Sequence, residues 1–296
     1  MLNFKPVELG DREALESVLF AQPYRICDQN FACLYIWKHT YPANFCFDDG
    51  ILYIMYGDPD DAGIYQLPVC TADALPRAVE KLRAHAESHG ADLEIVTMNG
   101  DQKTILSQAM PGAFRYESQP QYGDYIYNAQ DLITLRGKKF HAKRNFVNRF
   151  SLEYEGRFSF EPVGKENADE VLAFNARWDA ENPAGGIDNE ADAIAIALRD
   201  LDAIGMFGVA LRLDGQIIAY ALGTRLCADT VLEQIEKSAD ITGGYQMINH
   251  EFASRFAADC LYINREEDLG IEGLRKAKLS YNPAYINTRY NAQLII

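Results

Sequence analysis

Glu233 and Glu236 lie three apart in the run DTVLEQIEKS, which leads into a Gly243-Gly244 turn. A carboxylate at that place suits a general base that takes the proton of an attacking amine. A strand ending before the turn and a helix starting after it would leave unpaired N–H groups pointing outward, an anion site. Gly243 and Gly244 would let the backbone come close to a phosphate there. A plain tight turn explains two adjacent glycines equally well.

A second stretch, LRGKKFHAKRNFVNRF, has no acid between Asp131 and Glu153 but carries Arg136, Lys138, Lys139, Lys143, Arg144 and Arg149. Helical spacing puts Lys138, His141, Arg144, Asn145 and Asn148 on one polar face. Two readings fit. The face is solvated and met by neighbouring acids, or it holds a phosphate or carboxylate of a ligand.

The third stretch is CLYINREEDLGIEGLRKAKLSYNP. Asn264, Arg265, Glu266, Glu267 and Asp268 fall where a strand gives way to a helix, a common place for ligand contacts in α/β folds. Arg275 and Lys278 share a side of that helix, and Tyr281 at its end is a proton-donor candidate by residue type. Helix capping and Glu272 paired with Arg275 or Lys276 are the structural alternative.

Other signals carry less. His85 and His89 stand four apart at what reads as the exposed last turn of a helix. With no third ligand nearby, charge at the helix C-terminus explains them, and no metal site is expected. Trp37 and Trp178 read as packing residues. The six cysteines (27, 33, 46, 70, 227 and 260) lack CxxC spacing and read as reduced, mostly buried thiols.

These residues need elements to hold them. Asp49-Gly50 and Asp214-Gly215 each sit between two β-rich arms and predict hairpins. An amphipathic helix follows Gly10 with Asp11 as N-cap. TADALPRAVEKLRAHAESHG predicts a helix capped by Thr71 or Asp73 and stopped by Gly90. ADLEIVTMNG predicts a strand, DQKTILSQAM a helix, and LEYEGRFSFEPV a strand pair. In the C-terminal half the order is two helices over 165–181 and 189–204, the hairpin, strand, turn, helix, strand, helix. This order resembles the acetyltransferase-like (GNAT) fold, and the N-terminal half follows it more loosely. The expectation is an α/β protein with mixed sheets, divided near Gly156 into lobes 1–156 and 157–296, packed across a shared cleft.

At 296 residues the chain is longer than a typical domain of roughly 100–200. Its 48% hydrophobic and 11% aromatic content supports sizeable cores. A net charge of −15 opposes unspecific adhesion to nucleic acid or anionic lipid, so polyanion binding would need a local basic patch. The N-terminal residues do not read as a secretory signal, and no apolar run predicts a transmembrane segment. A cytoplasmic location is expected.

LRGKKFHAKRNFVNRF and NREEDLGIEGLRKAKLSYNP together resemble a family of small bacterial proteins of unknown function, similar to the C-terminal domain of phosphatidylglycerol lysyltransferases. The resemblance implies two tandem GNAT-like lobes. It implies transfer of an aminoacyl or acyl group from an aminoacyl-tRNA or an acyl-CoA to a small molecule or head-group acceptor, with tRNA as a partner in the first case. The matching positions are Lys138, Lys139, His141, Lys143, Arg144, Asn145 and Asn148, then Asn264, Glu266, Asp268, Gly270, Gly273, Leu274, Lys278, Ser280 and Tyr281. The wider superfamily's Gln/Arg-x-x-Gly-x-Gly/Ala pyrophosphate loop is missing. The stretch Ala239–Gly244 has no Arg or Gln at its head, and Asp240 would repel a pyrophosphate. A CoA-dependent N-acyltransferase and a non-catalytic ligand-binding protein on the same fold remain the alternatives.

Overall fold

The computed structural model describes residues 2–61, 63–182 and 189–295. In chain order the elements are β1 (Lys5–Pro6), α1 (Arg12–Leu19), α2 (Phe31–Ile36), β2 (Ala43–Asp48), β3 (Ile51–Tyr56), β4 (Ile64–Gln66), α3 (Leu75–Ser88), β5 (Glu94–Met98), α4 (Gly100–Ala109) and β6 (Phe114–Asn128). Then come α5 (Ala129–Thr134), α6 (His141–Glu153), β7 (Phe158–Pro162), α7 (Ala168–Glu181), α8 (Glu190–Asp200), β8 (Met206–Leu213) and β9 (Gln216–Cys227). The chain finishes with β10 (Thr230–Ser238), α9 (Gly244–Phe256), β11 (Tyr262–Asn264), α10 (Glu272–Leu279) and β12 (Tyr285–Leu294). No helix among the described residues is long and apolar enough to cross a membrane.

The chain forms two compact units, Met1–Asp124 with Asn287–Ile296, and Tyr125–Ile286. This division differs from the boundary expected near Gly156. The basic helix α6 belongs to the second unit, where Phe140 and Phe150 join the core formed by Ile248 and Phe252. The first unit is discontinuous because β12 comes back to pair with β5. Reading composition along the chain finds a break between neighbouring residues and does not see a returning strand.

Within the first unit the strands follow the order β1-β2-β3-β4-β5-β12, all antiparallel except the parallel β4–β5 pair. Asp49 and Gly50, both at positive φ, turn β2 into β3, the geometry that suits the twist of a two-residue hairpin. Tyr53, Tyr65, Leu82, Ile95, Leu106 and Ala292 form its core. Two expectations need correction. Helix α3 starts at Leu75 after Ala74, with no side-chain cap from Thr71 or Asp73. His85 is buried, not exposed, with Nδ1 2.8 Å from the Tyr65 hydroxyl.

In the second unit the order is β6-β11-β10-β9-β8-β7, antiparallel apart from the parallel β10–β11 pair. Asp214-Gly215 makes the β8–β9 turn, again at positive φ. Val209, Leu211, Ala219, Val231, Ile248, Phe252 and Ile263 are buried between this sheet and its helices. The expected strand pair around 152–163 is one strand: Leu152 and Glu153 end α6, and only Phe158–Pro162 pairs, with β8.

Candidate functional site

Residues three apart on a regular strand point to opposite faces, because side chains alternate. Glu233 and Glu236 nevertheless face the same way. The β9–β10 register shifts between Glu233 and Ile235, so Gln234 is an extra residue opposite Gly223 and Leu222. This bulge advances the alternation by one and turns Glu236 to the side of Glu233. Gly223 is required here, since a Cβ would stand 2.2 Å from the Leu232 carbonyl oxygen and 2.6 Å from Phe252.

Arg265, the first residue after β11, fills the space between the two acids. Its Nε lies 2.8 Å from Glu233 Oε2 and its Nη2 2.6 Å from Glu236 Oε2. From α9, Asn249 Nδ2 donates to both carboxylates, at 3.1 and 3.0 Å. The guanidinium also lies 5.1 Å from the Tyr281 ring centroid and 5.7 Å from that of Tyr127. Lys143 of α6 places its Nζ 4.0 Å from the Tyr281 ring centroid, and that Nζ donates to Ser280 Oγ at 2.6 Å.

The cluster is buried and holds two carboxylates against one guanidinium. Three of its polar atoms have no protein partner: Glu233 Oε1, Asn249 Oδ1 and the Tyr281 hydroxyl. Gln234, on the bulge, leaves both ends of its amide unpartnered as well. Native interiors rarely leave buried polar groups in this state. Burial pushes the Glu233 carboxyl well above the usual range; Arg265 opposes this, and the neighbouring Glu236 adds to it. Burial also raises Tyr281, with Glu236 acting the same way, so its phenol keeps its proton. Lys143 is pushed down by burial and by Arg265, with Glu236 opposing. On Arg265 burial disfavours the charge, but Glu236 and Glu233 outweigh it and hold the guanidinium cationic.

The loop that presents Arg265 is fixed by residues singled out in the sequence. Asn264 Oδ1 accepts the Glu266 N–H at 2.7 Å, and Glu266 sits at φ +55°. Buried Lys278 donates to the carbonyls of Arg265 at 2.6 Å and of Glu267. Asp268 accepts from the Tyr125 hydroxyl (2.7 Å), from Arg275 Nε and Nη2 (2.8 and 3.0 Å) and from the Gly270 N–H (2.8 Å). Burial opposes the Asp268 charge, yet these donors bring its carboxyl down to about 2. Lys278 therefore holds the Arg265 backbone directly, while Asn264 and Asp268 fix the loop on either side of it.

The expected anion-binding face of α6 is arranged differently. Phe150 and Lys143 lie on the inward side of the helix, which leaves Lys138, His141, Asn145 and Asn148 exposed. Asn145 Nδ2 lies 3.1 Å from His141 Nε2, and Arg144 folds back onto the carbonyls of Leu135 and Gly137. Lys143 is the α6 residue that meets the segment around Tyr281. Gly243 and Gly244 are explained by packing. A Cβ on Gly243, at φ +89°, would meet the Phe146 carbonyl oxygen at 2.8 Å, and one on Gly244 would meet Ser238 Oγ at 2.3 Å. The Gly244 N–H is already bonded to Ile241 O at 2.9 Å.

The opposite face of β10 holds a pair that sequence reasoning missed. Lys237 Nζ lies 2.6 Å from Glu190 Oε2 and 4.0 Å from the Trp178 ring centroid, and both charged groups are buried. Trp178 Nε1 donates to Ser238 O at 3.0 Å. The adjacency of Lys237 to Glu236 in sequence is a weak hint, since neighbouring strand positions reach opposite faces.

Comparison with known proteins bears on the family and the fold. A crystal structure of a conserved protein of unknown function from Bacteroides thetaiotaomicron superposes with a TM-score of 0.94 at 36% identity, covering 100% of both chains. The C-terminal domain of a putative lysylphosphatidylglycerol synthetase from Agrobacterium fabrum gives a TM-score of 0.71 at 15% identity, over 96% of this chain and 91% of that one. A tandem GNAT protein from the clavulanic acid biosynthesis pathway shares the fold at a TM-score of 0.50 and 11% identity, over 99% and 98% of the two chains. An uncharacterized protein from Mycoplasmoides gallisepticum is 25% identical over 178 residues, which span 58% of this chain and only 56% of that relative. The fold is mixed α/β and GNAT-like. The family model described as phosphatidylglycerol lysyltransferase, C-terminal, matches residues 22–293, so the chain belongs to that family.

Proposed function

We propose that the second unit transfers an aminoacyl group from an aminoacyl-tRNA to the amine or hydroxyl of a small molecule or lipid head group. The observation that carries this reading is the bulge-set acid pair around Arg265, with burial pushing Glu233 toward its protonated form and with Glu233 Oε1 and the Tyr281 hydroxyl lacking a protein partner. Attack on the donor's ester carbonyl forms the new C–N or C–O bond. The ester C–O bond then breaks, and Glu233 gives its proton to the leaving oxygen. The carboxylate so formed recovers a proton from the nucleophile that has added. Glu233 thus starts as an acid, where residue type alone suggested a base. Tyr281 and the Arg265 charge steady the oxyanion.

Aminoacyl-tRNA is preferred to acyl-CoA as donor because the turn after β10 does not fit a pyrophosphate. Its Gly243 is covered by α6, its Gly244 N–H is spent on Ile241, and Asp240 lies exposed beside it. The test is transfer of radiolabelled amino acid from a charged tRNA pool to an extract of lipids and small amines. Activity that falls at least tenfold in Glu233→Gln is expected. No transfer by folded protein, together with a thermal shift on adding acetyl-CoA, overturns the reading.

A further inference from the structure

The first unit has a cleft that the reaction above does not use. About 320 Å³ in volume out to its mouth, it opens where the chain leaves the parallel strands β4 and β5. Ligand sites in α/β sheets commonly lie outside the carboxyl ends of such strands. Leu67 and Pro68 after β4, Leu75 of α3 and Ile105 of α4 make much of its wall apolar. None of its eleven lining residues carries a formal charge. An apolar wall with a few placed polar groups is the usual make-up of a small-molecule site.

Three polar side chains line this same cleft. Gln102, 3% exposed, closes the cap of α4: Asn99 Oδ1 accepts the Gln102 N–H at 3.0 Å, and Gln102 Oε1 accepts the Asn99 N–H at 3.3 Å. A backbone N–H can only donate, so Oε1 is fixed on the cap. Nε2 is left as the accessible end, with no hydrogen-bond partner among the described residues. Gln22 is the complement. Its Nε2 donates to Val18 O at 3.1 Å, which leaves Oε1 as an unspent acceptor. Tyr24 is held by its carbonyl, which accepts from Asn99 Nδ2 at 3.3 Å and Asn287 Nδ2 at 2.8 Å. Burial raises its phenol, and the nearby Asp101 and Cys70 add to this, so it stays an O–H donor.

A cleft built this way selects against charge of either sign. An anion would meet no cation on the wall and would face Asp101, whose residue lies exposed next to Gln102. A cation would be drawn to Asp101, but that carboxylate is outside the lining and in water, where its pull is weak. The apolar wall would meanwhile strip the cation's hydration. N–H donors on one residue and a free carbonyl acceptor on another match the C=O and N–H of a carboxamide. We propose that this cleft binds an uncharged N-alkyl amide, its carbonyl on Gln102 and Tyr24, its N–H on Gln22 and its alkyl groups against the apolar wall. The site lies wholly within the first unit, so it stands whether or not the second unit transfers aminoacyl groups.

Saturation-transfer NMR of the full chain with N-butylacetamide tests it, with butyrate and butylammonium as charged fragments of related size. Saturable transfer at millimolar amide is expected, and neither charged fragment should compete. Gln102→Glu keeps Oε1 for the cap, where glutamate is a favoured residue, and removes both N–H donors. At pH 8 it should weaken binding about tenfold or more with the circular dichroism spectrum unchanged. Ala72→Trp, at an exposed position on the cleft wall, fills the space and should abolish the signal. Should Gln102→Glu fail to fold, Ala72→Trp decides the matter. Absence of saturable transfer overturns the proposal. So does equal affinity in either folded variant, or displacement by butyrate or butylammonium.

Discussion

Replacing Arg265 with methionine keeps much of its length and removes its charge, which leaves Glu233 and Glu236 facing each other in a buried site. The losses include the 2.8 and 2.6 Å ion pairs and the cation–ring contact with Tyr281 at 5.1 Å. Removing one partner of a buried ion pair costs ~3–5 kcal/mol. The ring contact adds ~0.5–1 kcal/mol. At pH 8 the expected loss is therefore ~4–6 kcal/mol from the two together. The loss should shrink on acidification. Burial already holds the Glu233 carboxyl above its unfolded value and Arg265 is the charge that opposes this, so without Arg265 the native state binds more protons than the unfolded chain. Stability then falls as pH rises from the unfolded carboxyl range of about 4.3 through the raised native values, and recovers as pH drops. Urea denaturation followed by circular dichroism at pH 8 and pH 5.5 gives both numbers. A loss under ~1 kcal/mol at pH 8, the size of an exposed pair, would refute the buried-cluster argument, as would a loss that does not change with pH.

Three further outcomes follow from geometry. Gly243→Ala should lower stability by ~2 kcal/mol, since φ +89° disfavours a side chain and the added Cβ meets the Phe146 carbonyl; scanning calorimetry measures it. Thr97→Gly should raise stability by ~1 kcal/mol in urea by relieving the positive φ; a loss there would show that packing of the threonine outweighs its backbone strain. Burial pushes the His85 imidazole down, with His89 adding to it, so the unfolded chain takes up a proton first. Stability should fall as pH drops below about 6.5, and His85→Gln should flatten that slope in urea midpoints measured between pH 7.5 and 5.

Much of this architecture is legible in local patterns. Asp49-Gly50 and Asp214-Gly215 turn where two positive-φ residues are required, and the apolar spacing of α3 and α9 marks their buried faces. Glu233, Tyr281 and the loop 264–268 stand out by residue type, and the structure gathers them around Arg265. Two things are not local. A bulge changes which face Glu236 takes, and nothing in DTVLEQIEKS says where the extra residue falls. The polar face of α6 is genuine, but one polar residue, Lys143, points inward, and only its neighbours in space select it. The buried pair Lys237–Glu190 joins residues 47 apart and carries no signal in either segment.

The return of Asn287–Ile296 to the first unit also sets a schedule for synthesis. Tyr125–Ile286 leaves the ribosome as one uninterrupted stretch and has all its own strands by the time residue 286 emerges. The earlier-made portion must wait for residues 287–296 to supply both its closing strand and Arg289, the cation that sits between Asp28 and Asp124. The part translated first is thus the part finished last, and a nascent chain stalled before residue 287 would carry a folded second unit behind an incomplete first one.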